Sequence, residues 1–179
     1  MALRDIILYP HEVLSTKADP IDEVDDDLRQ LVDDMIETMY DAPGIGLAAP
    51  QIGILQRLTV IDISNEENPD KLYTFINPQI VHAEGRIVWE EGCLSIPGAY
   101  EKVERSNKIV VQALDRDGEE FELEAEGLLA VAIQHEIDHL DGVVFLDHLS
   151  ALKRRMTLKK YRKHLEAMEK ERLEKQQNS

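Results

Sequence analysis

The spacing of apolar residues predicts three helices of different character. Between residues 22 and 40 apolar side chains recur at steps of three and four, which predicts an amphipathic helix. Residues 127–133 are almost wholly apolar and continue into 134–140, which predicts a buried helix carrying polar groups into the interior. Beyond Ser150 a looser helical pattern among many charges predicts an exposed helix that frays at 176–179.

Shorter apolar runs between these helices predict β-strands. They lie at 57–64, at 72–82 with a break near Pro78, and at 86–91, 103–106, 108–114 and 121–125, where the last two form a hairpin around a turn at 115–119. Residues 6–8 predict an extended segment or edge strand. The order of elements predicts an α+β fold: antiparallel β-sheets packed around a central buried helix, with an N-terminal amphipathic helix and an exposed C-terminal helix.

Residues 41–51 are rich in glycine and proline and predict a loop. Gly44 and Gly46 allow the backbone to approach another group closely. An ordinary helix-to-strand connection is one interpretation; the other is a loop that lines a site and offers Gln51. A phosphate-binding loop is excluded, because no Lys-Ser/Thr pair and no GxGxxG spacing is present.

Length and charge bound the organisation of the chain. The 179 residues fit one domain, with a single catalytic domain at 1–150 and a basic helix and tail at 151–179. The net charge is −16, yet residues 151–179 carry 10 Lys and Arg against 4 Glu, which leaves −22 on the first 150 residues. An acidic body argues against DNA binding. No apolar run reaches ~18 residues and the start lacks a signal peptide, so we expect a cytoplasmic protein with no membrane contact.

The motif at 134–139, QHEIDH, carries the candidate chemistry. His135 and His139 are four residues apart, so on a helix both imidazoles face one metal ion, with Glu136 beside it to handle protons. Such a motif also arises by chance in a core helix. Two histidines leave a tetrahedral metal short of a protein ligand, so the decision depends on residues elsewhere in the chain.

Cys93 is the single cysteine, which excludes an internal disulfide. It is a buried thiol, a nucleophile or a third metal ligand. As a ligand it would complete a His₂Cys set with an open fourth position, the arrangement of a catalytic metal. The remaining histidines have no convincing ligand spacing: His11, His82, which we expect on the surface, His148 and His164.

Three stretches together resemble the peptide deformylase family, bacterial type 1. They are GIGLAAPQ at 44–51, EGCLS at 91–95 and QHEIDH at 134–139, in that family's order and approximate spacing. The resemblance implies a metal-dependent hydrolase that removes the N-formyl group from N-formylmethionine of nascent polypeptides and releases formate. A metal-bound hydroxide would attack the formyl carbonyl, with Glu136 as general base and acid.

The resemblance also implies roles for particular residues. Cys93, His135 and His139 would hold one divalent metal, Fe²⁺ in the cell, with Zn²⁺, Ni²⁺ or Co²⁺ able to occupy the same site. Gln51 and the Leu94 N–H would form the oxyanion hole. Gly46 would border the peptide, and the methionine side chain would lie in a pocket formed by Ile45, Leu128, Val131, Ala132 and His135. Tyr100 stands where some relatives carry an arginine, and it receives no role.

Two alternatives to the deformylase interpretation remain open. An HExxH metallopeptidase would cleave unformylated peptides, and a binding module with a structural metal would need a fourth protein ligand. For the basic tail, one interpretation is a solvated helix with pairs such as Glu166 and Lys170. The other is a contact with ribosomal RNA through Lys and Arg at 153–155, 159–160 and 162–163.

Overall fold

Helix α2 lies between two antiparallel sheets in the computed structural model, which describes residues 2–178. The larger sheet has the strand order β1-β2-β3-β6-β7 and the smaller one pairs β4 with β5. The elements are α1 (Asp26–Asp41), β1 (Gly46–Ala48), β2 (Leu58–Asp62), β3 (Leu72–Glu84), β4 (Ile87–Cys93), β5 (Ile96–Arg105), β6 (Lys108–Leu114), β7 (Glu120–Glu126), α2 (Leu128–Leu140) and α3 (Ala151–Gln177).

The predicted α+β architecture is confirmed. One face of α2 packs on the larger sheet through Ala130, Ile133 and Ile137, which lie in one apolar cluster with Phe75 and Val111. Nine of the thirteen residues of α2 are buried, on more than one face, which explains why the first half of the helix is apolar nearly all round. Among the described residues no helical stretch combines the length and apolar character that a membrane span requires.

Helix α1 begins at Asp26, later than the predicted residue 22. The side chain of Asp25 caps it by accepting a hydrogen bond from Leu28 N at 2.8 Å, while Asp26 and Asp27 occupy the first turn. The buried side of α1 packs with β1 and β2 in a second apolar cluster that includes Met35 and Leu47.

The glycine- and proline-rich segment at 41–51 is more ordered than the predicted loop. Residues 46–48 form β1, which pairs antiparallel with β2, and residues 49–52 form a 3₁₀ turn. This short strand forms the edge of the larger sheet and contacts α2, which sequence periodicity over three residues does not reveal.

The predicted break near Pro78 is a register shift within one strand. Strand β3 runs continuously from Leu72 to Glu84, but its pairing with β6 shifts between Ile76 and Gln79. Asn77 takes a φ of 51° there, and its side chain bonds both the N–H and the carbonyl of Ile21 at 2.8 Å. Residues 6–8 are extended without strand pairing, and Ile7 N donates to the Gln51 carbonyl at 2.7 Å.

Helix α3 is mostly exposed, but one side of it packs on β5. Thr157 and Tyr161 are buried, and the Tyr161 hydroxyl donates to the Tyr9 carbonyl at 2.8 Å. Helical structure continues through Gln177, past residue 176 where fraying is predicted, and Ser179 lies outside the described residues.

Candidate active site

Cys93, His135 and His139 come together where the end of β4 meets α2. One donor atom from each lies within 4.8 Å of the others. The Cys93 Sγ lies 3.4 Å from His139 Nε2, and the two imidazole rings are 5.0 Å apart between centroids. The two histidines, four residues apart on α2, therefore lie beside the single cysteine, and the three side chains form the cluster that the sequence predicts. No other group of three such side chains within residues 2–178 approaches this geometry.

A buried carboxylate orients His135. Glu91 Oε1 lies 2.9 Å from His135 Nδ1, which leaves Nε2 to face Cys93. Arg105 holds Glu91 with two hydrogen bonds of 2.8 Å each. Burial raises the pKa of Glu91, but the hydrogen bonds from Arg105 and His135 outweigh it and hold that pKa at about 2. Glu91 is therefore an ionised acceptor that fixes the imidazole ring.

Arg105 also links the Glu91–His135 pair to Asp138 on α2. Its Nη1 lies 2.5 Å from Asp138 Oδ2, and Asp138 is in turn 2.8 Å from His148 Nε2. Side-chain exposure of Arg105 is only 4 %, so its charge depends on these two carboxylates. Sequence reasoning missed this network. Only the place of Glu91 within the EGCLS motif pointed toward it.

Glu136 lies against β1 rather than in solvent. An atom added at the Cβ position of Gly46 would lie 2.6 Å from Glu136 Oε1, so the glycine makes room for the carboxylate. Burial raises the pKa of Glu136 to about 7, and the charges of Glu91 and Asp138 add to the rise while His135 opposes it. Its Oε2 is buried without a hydrogen-bond partner in the described structure. This carboxyl is suited to exchange a proton near neutral pH.

Gln51 and Leu94 lie next to the cysteine. Gln51 Nε2 lies 3.5 Å from Cys93 Sγ and 3.1 Å from Ser95 Oγ, while its Oε1 accepts from Ala48 N at 2.9 Å. The amide is thereby held with its N–H side toward the cysteine. Leu94 lines the same cleft and its side chain packs on Gly44.

A cleft of about 860 Å³ contains these groups. All the predicted pocket residues line it: Ile45, Gly46, Leu128, Val131, Ala132 and His135. Gln51 and His139 lie behind the lining. Residues that the sequence did not suggest also line it: Ile6, Leu8, Trp89, Tyr100, His164 and Met168. No local spacing signals these six, because separate segments bring them to the cleft.

The other histidines do not join the cluster. His11 Nδ1 accepts from Val13 N at a turn, and His82 is exposed beside Glu84. His148 binds Asp138, and the ring of His164 packs on Gly98. The ligand set within the described residues is therefore His₂Cys, which leaves the fourth position that a structural metal would fill with protein.

The donor set fits a divalent transition metal. Burial lowers the pKa of His139 well below its usual value, so the imidazole is neutral and its lone pair is available. Burial also lowers the pKa of His135, but hydrogen bonds with Cys93 and Glu91 raise it well above the usual value. Metal binding at this site would therefore displace a proton from His135.

A His₂Cys cluster able to hold a metal ion, with an adjacent buried glutamate, on an α+β fold, is typical of metal-dependent hydrolases. Residues 3–155 of the chain match the protein family described as "Polypeptide deformylase". A peptide deformylase of Acidobacterium capsulatum is 57 % identical over 163 residues, which is 91 % of this chain and 96 % of that protein. One of Hydrogenovibrio crunogenus is 55 % identical over 161 residues, covering 90 % and 94 %.

Solved structures agree. The crystal structure of a peptide deformylase from Legionella pneumophila superposes with a TM-score of 0.88 at 48 % identity and covers 93 % of this chain and 98 % of that one. A peptide deformylase from Ehrlichia chaffeensis in complex with actinonin gives 0.85 at 40 % identity, covering 92 % and 98 %. The chain belongs to the polypeptide deformylase family, and it is an enzyme of the hydrolase class.

Proposed function

We propose that this enzyme removes the N-formyl group from the N-formylmethionine of nascent polypeptides and releases formate. The observation that carries the proposal is the juxtaposition of Glu136 with the Cys93–His135–His139 cluster in one apolar-lined cleft. Membership of the deformylase family and the actinonin complex of the Ehrlichia chaffeensis relative support it.

Cys93, His135 and His139 would hold the metal. A divalent cation there would supply Lewis-acid activation of water and of the formyl oxygen. Sulfur and imidazole donors favour borderline ions over Mg²⁺ or Ca²⁺. We propose Fe²⁺ in the cell, with Zn²⁺, Ni²⁺ or Co²⁺ able to replace it in the isolated protein.

Glu136 acts as general base and then as general acid. It takes a proton from the water that attacks the formyl carbon and passes that proton to the leaving amine, so the carboxylate is regenerated when formate leaves. A pKa of about 7 suits both roles at neutral pH.

Gln51 and the Leu94 N–H stabilise negative charge on the formyl oxygen as the carbon becomes tetrahedral. The Gln51 amide already faces the cysteine, and each such donor contributes about 3 kcal/mol in comparable sites. Ile45, Leu128, Val131 and Ala132 offer an apolar pocket for the methionine side chain, whose burial contributes about 2 kcal/mol.

A formate-release assay tests the proposal. Metal-loaded protein is expected to release formate from formyl-Met-Ala-Ser, and Glu136→Gln is expected to lower the rate by at least about 10²-fold. Glu104→Gln serves as the matched control, because the Glu104 side chain is 59 % exposed and lies beside Arg86 outside the cleft. Equal rates for wild type and Glu136→Gln would refute the proposal. Cleavage of unformylated peptides instead would support the metallopeptidase alternative.

We further propose that α3 contacts ribosomal RNA and that residues 1–150 form the catalytic unit to which α3 is appended, in the cytoplasm where nascent chains emerge. The support is charge: basic side chains at 153–155, 159–160 and 162–163 belong to a helix with a net of +6 on a body of −22. The alternative is a solvated helix with its own pairs, and Arg172–Glu169 and Lys175–Glu171 are such pairs near its end.

Charge reversal tests the ribosome contact better than truncation, since removal of α3 would also remove buried Tyr161. Lys159→Glu with Lys160→Glu is expected to weaken ribosome binding and its salt dependence, while formate release from short peptides stays unchanged. Binding that is independent of salt, or unchanged by this reversal, would remove the proposal.

A further inference from the structure

Helix α3 contributes to the wall of the catalytic cleft. His164 and Met168 both line it, and they lie one helical turn apart on the same side of α3. The family match ends at residue 155, so neither residue is within the matched region. Neither His164 nor Met168 takes part in the proposed catalytic steps or in the methionine pocket.

The position of α3 over the cleft is fixed by close packing. Gly98 has a φ of +78°, and an atom at its Cβ position would lie 2.3 Å from His164 Cγ, so the imidazole ring rests on the backbone of β5. One turn earlier, Tyr161 is 3 % exposed and is hydrogen-bonded to the Tyr9 carbonyl. The helical turn that precedes Met168 is therefore held in place by the contacts of Tyr161 and His164.

The rim around Met168 is apolar. Five large hydrophobic side chains at this cleft remain 37–57 % exposed: Leu8, Ile45, Trp89, Tyr100 and Met168. The Tyr100 ring lies against Gly92, where an added Cβ would be 2.4 Å from it, so the rim continues up to Cys93. A cluster of exposed apolar groups continuous with a catalytic cleft on an acidic protein indicates a binding surface.

The size of the cleft leaves room for more than one side chain. A volume of about 860 Å³ lies near the upper end for sites that enclose drug-sized ligands. The methionine pocket is formed by α2 and β1, whereas Met168, Trp89 and Tyr100 belong to other elements. The substrate residues that follow the methionine would occupy the part of the cleft next to that pocket.

We propose that Met168, positioned by the contact of His164 with Gly98, binds the side chain of the second or third substrate residue and gives a preference for apolar residues there. This inference rests on the proposed deformylase function. A thioether side chain is flexible and polarizable, so it can adapt to different apolar partners without excluding small ones.

A substrate series with matched variants tests the inference. The substrates are formylmethionine amide, which has no later residue, and formyl-Met-Ala-Ala with Leu or Lys placed at the second or the third position. The variants are Met168→Ala and Met168→Glu. Met156→Ala and Met156→Glu are the controls, because Met156 is on the same helix, is 54 % exposed and does not line the cleft.

Met168→Ala is expected to lower the Leu-over-Ala ratio of kcat/KM about fivefold at one of the two positions, which is more than it changes the rate on formylmethionine amide. Met168→Glu is expected to shift the ratio toward Lys by about fivefold. His164→Ala should reduce the same preference more than it changes the rate on the amide, which identifies His164 as a positioning residue. Both Met156 variants should match wild type.

Unchanged ratios at both positions in the Met168 variants would overturn the inference, as would equal effects of the Met168 and Met156 variants. An equal loss on the amide and on every peptide would also overturn it, since that pattern indicates general damage. If wild type releases formate while the ratios stay unchanged, only this inference fails. If wild type releases no formate from any substrate, the proposed function fails and this inference with it.

Discussion

Glu136 depends on a single missing side chain at position 46. Glycine occurs there in a backbone conformation that other residues also adopt, so the requirement is space next to Oε1 rather than flexibility. The carboxylate is buried, and this burial raises its pKa to about 7. The close approach to β1 is one of the contacts that bury it. A small change at residue 46 should therefore act on chemistry more than on folding.

Gly46→Ala is expected to lower kcat/KM for formylated peptides about 10²-fold, because the added methyl would displace Glu136 by about 1 Å. Stopped formate-release assays, together with thermal unfolding of the same samples, measure the two effects separately.

Gly44→Ala is the control for this substitution. Its added methyl would meet only the Leu94 side chain, which is flexible: Cδ1 at 2.7 Å, Cγ at 3.1 Å and Cδ2 at 3.2 Å. A similar loss in both variants would contradict the specific role of the space beside Glu136.

Residues in the site differ in how far the sequence could predict them. His135, Glu136 and His139 were predictable because helical spacing alone places them together. As the single cysteine, Cys93 could be a buried thiol, a nucleophile or a ligand, and only the resemblance to the deformylase family implied the ligand role. Arg105 could not be found in this way, since its partners Glu91 and Asp138 belong to β4 and α2 and meet only in the folded protein.

At the scale of elements, helix α1 fastens the N-terminal segment. Asp34 on α1 is 3 % exposed and accepts hydrogen bonds from Ala2 N at 2.8 Å and from Arg4 Nη2 at 2.9 Å. Gln30 Nε2 donates to the same carboxylate at 3.0 Å. This segment leads to Ile6 and Leu8, which line the cleft, so the attachment supports one of its walls.

The Asp34 contacts predict a pH-dependent part of stability. Burial raises the pKa of Asp34, but hydrogen bonds from Gln30, Arg4 and Ala2 outweigh it and lower the pKa below its usual value. A folded-state pKa below the unfolded one means that the contribution is complete above about pH 4 and is lost as the pH falls through the folded-state pKa.

Asp34→Asn should therefore lower the free energy of unfolding by about 2 kcal/mol at pH 7, and this difference from wild type should shrink below about pH 4. Urea unfolding at several pH values measures it. Asp26→Asn is the exposed control on the same helix, and an equal response of the two variants would refute the explanation.

The elements themselves show where periodicity reaches its limit. Helix α1 and the hairpin β6–β7 were predictable because each buries one face along its length, and α2 was predictable from its continuous apolar run. Strand β1 was predicted as loop, because three residues are too few to show a period and pairing with β2 orders them. The charge of α3 predicted an exposed helix correctly, but not that Tyr161 and His164 would seat it on β5.

At the scale of the whole molecule, metal, activity and stability should be linked. The three proposed ligand residues come from β4 and α2, so a bound cation would join the smaller sheet to the central helix. A ligand that binds only the folded state stabilises it by about 2.7 kcal/mol at a concentration of 100 times its dissociation constant.

Removal of the metal with a chelator is expected to abolish formate release and to lower the melting temperature, and addition of Zn²⁺ or Co²⁺ should restore both. Glu136→Gln keeps all three ligands, so its melting temperature should still rise with metal although it stays inactive. The melting temperature of Cys93→Ala should rise much less when metal is added. A melting temperature of wild type that ignores metal would contradict the assignment of Cys93, His135 and His139 as ligands.

The packing of His164 on Gly98, which positions α3 at the rim of the cleft, also affects inhibitor selectivity. Small molecules that fill only the cleft floor meet groups from the region shared with the family, residues 3–155, and should act on many of its members alike. A compound extended to the rim would touch Met168, outside that region. Its potency would then depend on how each homologous enzyme places its own C-terminal helix, which gives a chemical route to discriminating between closely related bacteria.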